Sequence, residues 1–250
     1  MQLATGGHML NFGLWNENTK DPISAQRELC KSVGNLAELE SAKTLLDVGS
    51  GFSEPAIYWR SLYDSLHITC VNINFHQLQT STNNNLSLLN STSTTLPLAD
   101  HSTDRIIALE SAQHFKPLTR FINESRRVLK KDGILVMAIP VTLESSLISF
   151  MKLGILSFTW SSEHYKLDKI KSEITRAGFE INEIQKIGKN VYEPLANYYI
   201  QNRDMIKEKI LKEYPSYLES ILYKSLLKMK DASQKKIIDY VLIKCVMPKR

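Results

Sequence analysis

Cysteine is scarce: Cys30, Cys70 and Cys245 are the three in 250 residues. They lie far apart and form no C-x-x-C arrangement, which excludes a disulfide framework and a zinc knuckle. A reducing compartment fits that usage, and a cytoplasmic protein is expected. Long apolar runs are missing as well. The most hydrophobic window, Leu143 to Trp160, is interrupted by Glu144, Lys152 and several serines, and a membrane span wants roughly 20 apolar residues. Met1 to Trp15 has no basic stretch followed by an apolar core, so it does not read as a signal peptide. There is no internal repeat and no strong excess of one charge: 13 Lys/Arg stand against 15 Asp/Glu in residues 1–165, and 18 against 11 in residues 166–250. A surplus that mild is usually a solvated face, so nucleic acid is not an expected partner, and an RNA or anionic-membrane role for the lysine-rich residues 200–236 ranks last. The six histidines show no i, i+4 pair and no cysteine cluster beside them, so no metal is expected. Ser50, Ser53 and Ser111 lack the G-x-S-x-G elbow of a serine hydrolase.

What is present is enough apolar sequence for a core, 43% hydrophobic residues against 23% charged, and a regular alternation of elements. Lys43-Thr-Leu-Leu-Asp-Val-Gly49, His67-Ile-Thr-Cys-Val-Asn-Ile73, Arg105-Ile-Ile-Ala-Leu109 and Gly133-Ile-Leu-Val-Met-Ala-Ile139 are short, nearly continuous apolar runs, the last expected to stop at Pro140. Such runs suit strands covered on both faces, the habit of parallel sheets. Leu118, Phe121, Ile122, Val128 and Leu129 make a helical stripe between the third and fourth runs. A weak edge strand is placed within Asn83 to Thr95, a helix at Leu167 to Ala177, and further strands near Ile181 to Ile187 and at Asp239 to Met247. Leu143 to Phe158 and the amphipathic Tyr199 to Lys230, broken near Pro215, read as helices of a cap. Strands alternating with helices predict a doubly wound α/β sheet, with ligands at the carboxyl ends of its strands.

Asp47-Val-Gly-Ser-Gly-Phe-Ser53 follows the first strand directly, where a backbone without side chains can approach a ligand closely. A dinucleotide site would want a third glycine and an acidic residue about 20 positions on; here the glycine is missing and the second strand ends in Asn72. The stretch resembles instead the first motif, D-x-G-x-G-x-G, of class I S-adenosylmethionine-dependent methyltransferases. Leu96-Pro-Leu-Ala-Asp100 with Thr103-Asp104, Ala108-Leu-Glu-Ser-Ala-Gln-His-Phe115 and Arg127-Val-Leu-Lys-Lys-Asp-Gly133 resemble, in order, that family's L-P-F-x-D-x-x-F-D, E-S-x-x-H-F and R-V-L-K-P-G-G. Asn11-Phe-Gly-Leu-Trp15 and Ala25-Gln-Arg-Glu-Leu29 further resemble the small-molecule branch, which includes sugar and natural-product O-methyltransferases and sterol C-methyltransferases.

The resemblance implies a Rossmann-like, seven-stranded, mostly parallel sheet forming one domain over residues 1–250. Residues 1–40 would be an N-terminal helical segment, and residues 141–165 and 190–235 a helical cap that selects the substrate. It implies S-adenosyl-L-methionine as cofactor. Asp47, Gly49 and Gly51 would shape the methionine end of its site, Asn72 the ribose, and Thr92 with Ser93 the adenine; Ser50, Gln77 and Glu110 would also bind the cofactor, and Trp15 and Gln26 would close over it. Asn72 and Thr92 stand where the family usually has acids, which weakens two contacts and leaves a non-catalytic interaction domain as the alternative reading.

The expected partner is a small-molecule acceptor, apolar or aromatic, with no membrane span; a homodimer is allowed. A hydroxyl acceptor is favoured over nitrogen or carbon, and it must lose a proton around attack. His114 is the candidate general base, since a neutral imidazole suits that task, with Glu110 second, to orient His114 or bind a ligand. Plain structural alternatives are a turn-capping carboxylate for Asp47, a packed loop histidine for His114 and a helix cap for Glu110. Phe150, Phe158, Trp160, Tyr165, Tyr192, Tyr198 and Tyr199 are candidates for lining the acceptor pocket or for plain core.

Overall fold

The computed structural model describes residues 7–81, 85–143 and 165–248. Helix α1 (Pro22–Leu36) starts where Asp21-Pro-Ile-Ser24 supplies a reciprocal capping box and a proline in the first turn. The chain then alternates through β1 (Thr44–Val48), α2 (Glu54–Leu62), β2 (His67–Asn72), the short α3 (Phe75–Gln79), β3 (Ser87–Asn90), β4 (Thr103–Leu109), α4 (Leu118–Val128) and β5 (Leu129–Thr142). After residue 165 come α5 (Leu167–Arg176), β6 (Glu180–Lys186), α6 (Tyr192–Gln201), α7 (Arg203–Glu213), α8 (Ser216–Gln234) and β7 (Ile238–Val246).

The seven strands form one sheet in the order β3-β2-β1-β4-β5-β7-β6. Neighbours pair in parallel except β7, which runs antiparallel to both β5 and β6. Successive strand residues point to opposite faces, and each face has its own core. Leu45, Ile68, Ile107, Val136 and Leu242 pack with α1, α2 and α6 to α8, whereas Leu46, Val71, Ile106, Leu135 and Val241 pack with α4 and α5. Double coverage is why the strands read as unbroken apolar runs. Strand order reverses between β1 and β4, and a ligand crevice opens beyond the strand ends at such a reversal.

Pro140 does not end β5, which continues to Thr142. Ala138 turns its carbonyl toward β4, where it accepts from the Glu110 N–H at 2.9 Å. Backbone groups alternate sides along a strand, so Pro140 faces the same way, past the end of β4. Its missing N–H leaves no ladder bond unmade. The helix expected at Leu143 to Phe158 lies outside the described residues apart from Leu143. The lysine-rich stretch divides at Asn202 as well as Pro215, giving three helices. Its charges are partly matched internally: Glu219, 1% exposed, takes Arg203 at 2.9 Å, and Lys212 and Lys235 meet Glu208 and Asp231. Among the described residues no helix is long and apolar enough to cross a membrane.

Candidate active site

The loop after β1 is drawn against its neighbours by backbone bonds. Gly49 and Ser50 both donate to the Val71 carbonyl, at 2.7 and 3.1 Å, and the Ser111 hydroxyl donates to the Val48 carbonyl at 2.6 Å. Gly49 has φ +77°, and a Cβ there would lie 2.4 Å from that of Ser111. The glycine is therefore demanded twice, by conformation and by space. Asp47, 2% exposed, sits under this loop with Oδ2 lacking a hydrogen-bond partner among the described residues. Burial pushes its carboxyl up to about 7.

Beyond the loop lies a cavity of about 770 Å³, within the roughly 300–1,000 Å³ usual for small-molecule sites. Of the residues singled out from the sequence, Asp47, Gly49, Ser50, Gly51, Asn72, Gln77, Thr92, Ser93, Glu110 and His114 all line it. Trp15 and Gln26 do not. Trp15 is buried against Tyr198, ring centroids 5.6 Å apart. Gln26 works from behind, its amide donating to the Met9 and Asn11 carbonyls at 2.8 and 2.7 Å and so holding the segment that carries the lining residues Leu10 and Asn11.

Asn72 donates to the Gly51 carbonyl at 3.1 Å and to Gln77 Oε1 at 2.9 Å. A carboxylate has no proton for either bond, so the amide is matched to its surroundings. Thr92 shares a 3.0 Å hydroxyl contact with Thr94. Glu110 leaves β4 with φ +49°, and its Oε1 accepts from the Phe12 N–H at 2.7 Å and the Tyr240 hydroxyl at 3.0 Å. It does not bond His114, so the expected orienting role is not seen. Burial pushes Glu110 up to about 8, against those two donors. His114 ends a short 3-10 turn (Ala112–His114) at the cavity rim; burial and then Lys116 lower its pKa, keeping the ring neutral.

The opposite wall carries no mark in the sequence motifs. Leu218, Ile221, Leu222, Leu226 and Met229 make one aliphatic stripe of α8 along the cavity. Tyr165, Tyr192, Tyr198 and Tyr199 do not line it; Tyr165, Tyr192 and Tyr199 are core, and Phe150, Phe158 and Trp160 lie outside the described residues. Ile73, 77% exposed, stands at the mouth. The remaining motifs are structural. Arg127 donates to the Leu96 and Leu98 carbonyls and to Asp100, while Glu124 accepts the Leu96 N–H, so one guanidinium fastens the segment after β3. Among the described residues no group of three or more His, Cys, Asp or Glu is placed to hold a metal.

Comparison with known proteins bears on this arrangement. The methyltransferase-domain family matches residues 46–137, from β1 through the first half of the β5 pairing. Erythromycin 3''-O-methyltransferase of Saccharopolyspora erythraea is 24% identical, covering 80% of this chain and 71% of that one. Among solved structures, the [4+2]-cyclase SpnF superposes with a TM-score of 0.78 at 19% identity, over 99% of this chain and 90% of that one. Mycolic acid cyclopropane synthase CmaA1, complexed with SAH and CTAB, gives 0.79 at 16% identity, over 95% and 90%. The orphaned Asp47 oxygen and the glycine cradle at Gly49 fit the amino-acid end of S-adenosylmethionine, the cofactor of this family. Sheet order, glycine loop and the family match over residues 46–137 liken the chain to the class I S-adenosylmethionine-dependent methyltransferases of small-molecule type.

Proposed function

We propose that this protein methylates a hydroxyl oxygen of a small, largely apolar acceptor, with His114 as general base; nitrogen and carbon acceptors are the lesser variants. The observation that carries this reading is the division of the cavity: one wall polar and built from the strand ends, the other aliphatic and built from α8, with His114 at the rim. Asp47 would take the ammonium group of the cofactor, Gly49 to Gly51 its methionine backbone, Asn72 and Gln77 the ribose, and Thr92 and Ser93 the adenine. When bound, the cofactor supplies a methyl group already made electrophilic by a positively charged sulfur. The protein then has to align the acceptor, exclude water and remove a proton. The α8 stripe would exclude water and align an apolar body, and neutral His114 Nε2 or Nδ1 would accept the hydroxyl proton. Residues 190–235 would thus act as the acceptor-selecting cap of a single domain. The O-methyltransferase relative acting on erythromycin supports the choice of oxygen.

Calorimetry with S-adenosylmethionine and with its demethylated product tests the cofactor site, and isotope-labelled methyl offered with hydroxyl-bearing apolar acceptors tests transfer. Heat with both ligands and label in an ether product are expected; no heat with either would overturn the reading. A second reading, a cofactor-binding fold without methyl transfer, is favoured by the commitment of Asn72 and Thr92 to protein partners. Binding without label transfer to any acceptor would select it.

A further inference from the structure

The segment from Met9 to Trp15 runs along the cavity as a strap. Most of its fastenings are neutral amide bonds indifferent to a ligand: Gln26 to Met9 and Asn11, Leu14 N–H to the Ala25 carbonyl, and Trp15 N–H to the Asn190 carbonyl. The Phe12 N–H is different, because it ends on a titratable group that lines the cavity, Glu110 Oε1. Tyr240, fully buried on β7, donates to the same oxygen, and Gln113 Nε2 pins the Glu110 carbonyl at 2.8 Å. With Oε1 taking two donors, a proton on this carboxyl belongs on Oε2.

The N-terminal amino group is the one cation that lowers the pKa of Glu110, and it acts less than burial, the Phe12 N–H and Tyr240. Tyr240 on β7, Tyr192 on α6 and Cys30 on α1 are all held neutral by burial, Asp47 on β1 is acidic, and His114 on the rim is kept neutral. The half-buried acid therefore keeps its proton to about pH 8. A hydrogen bond to a charged group is stronger than one to a neutral group.

Taking the cofactor reading as given, we propose that Glu110, backed by the positioning residue Tyr240, is a charge-sensing latch. It gives up its Oε2 proton to solvent when a sulfonium fills the cavity, and as a carboxylate it grips the Phe12 N–H harder. The strap is drawn tight while a methyl remains to be transferred. Once the S–CH₃ bond has broken with its electron pair left on sulfur, the positive charge is gone, Glu110 takes a proton back and the strap slackens for product release.

The test is calorimetry on the full chain at pH 7 in two buffers of different ionisation enthalpy, which counts the protons released by S-adenosylmethionine and by S-adenosylhomocysteine. Both ligands carry the ammonium group that faces Asp47, so that contribution cancels in the difference. Excess proton release with the sulfonium ligand is expected. The affinity ratio of the two ligands should rise by up to about tenfold for each step of one in pH, levelling above about 8. Glu110→Gln should abolish both the excess and the pH dependence, and Tyr240→Phe should move the levelling point upward. Amide exchange at Phe12 should be slower with S-adenosylmethionine than with its product in wild type, and equal in Glu110→Gln. Equal proton release by the two ligands in wild type, which needs no variant to fold, would overturn the latch alone; failure of both ligands to bind would overturn the cofactor reading beneath it.

Discussion

The two ends of the sheet treat charge in opposite ways. At the amino ends of the strands the strong charges are partnered: Arg105 donates to the Ala37 carbonyl and Ser41, Lys244 meets Glu38 at 2.6 Å, and Asp104 gathers Lys130 and the Lys43 and Thr44 N–H groups. At the carboxyl ends, Asp47 and Gln113 each keep a buried oxygen without a partner among the described residues, and Glu110 is desolvated well beyond what its two donors offset. A folded domain tolerates such unmet groups at a penalty of about 1–3 kcal/mol each. Asp47 Oδ2, Gln113 Oε1 and the likewise unpartnered Ser225 hydroxyl all line the one cavity and mark where a ligand completes the structure, while Trp15 Nε1, Ser125 Oγ and Arg126 Nε lie away from it.

Substitutions at the two ends should therefore separate function from stability. The largest effect is expected at the rim: His114→Ala should lower turnover of a hydroxyl acceptor by about 10²–10⁴ while calorimetry finds cofactor affinity unchanged. Because its pKa is lowered, the imidazole is already the proton-accepting form at neutral pH, so the wild-type turnover at saturating cofactor and acceptor should stay flat from pH 8 down to about 6.5 and fall only below that. Unchanged turnover in the variant would remove His114 from the chemistry.

Gly49→Ala comes next. A methyl group wedged against Ser111 at a positive φ should cost on the order of 1–3 kcal/mol at the strained position, read as a loss of cofactor affinity of at least tenfold, with the circular dichroism spectrum retained.

Asp104→Ala should do the reverse. Although burial opposes its charge, the Lys130 pair and the Thr44 and Lys43 bonds hold its carboxyl down at about 2. A depressed acid contributes stability above its unfolded pKa of about 3.9 and loses it as pH falls toward the folded value. Thermal unfolding at pH 7 should show a loss of about 2 kcal/mol, which disappears near pH 2, with cofactor affinity intact. Asp47→Asn sharpens the contrast because its sign is opposite. A raised acid makes the folded state lose stability as pH climbs from about 4 to about 7, at a slope approaching roughly 1.4 kcal/mol for each step of one in pH; the amide should flatten that decline while weakening cofactor binding. A destabilised Asn variant at pH 7 would contradict the account of Asp47 as an unmet carboxylate.

The smallest effect belongs to the aliphatic wall. Leu222→Ala should raise the acceptor KM about tenfold, as expected for a few methylenes withdrawn from an apolar pocket, without altering proton release on cofactor binding. An unchanged KM across several acceptors would mean that α8 does not meet the acceptor.

Legibility from sequence follows how local each feature is. Strand positions and the glycine loop are readable because unbroken apolar runs and a turn demanding positive φ leave marks within a few residues, as at Leu45 to Gly51. Asn72 reads in sequence as a weakened acid, but its Gly51 and Gln77 partners show an amide suited to two acceptors. Pro140 reads as a stop because sequence does not reveal which side of β5 lacks a neighbour. Trp15 and the tyrosines suit a pocket by chemical type alone, whereas packing puts Trp15, Tyr165, Tyr192 and Tyr199 in the core. Gln113, next to His114, lies inside the same motif. Tyr240 is not: it meets Glu110 across 130 positions of sequence.

Sequence alone determined the alternation of strand and helix, the two-faced sheet and the polar half of the cavity, since these depend on periodicity and on backbone conformations that few residues allow. Tertiary structure alone decided which wall faces that half, which acid is left desolvated and which segment it holds. Those outcomes arise from the antiparallel return of β7 and the draping of α8 over the strand ends, and burial and charge pairing are properties of a three-dimensional neighbourhood that no local stretch of chain encodes.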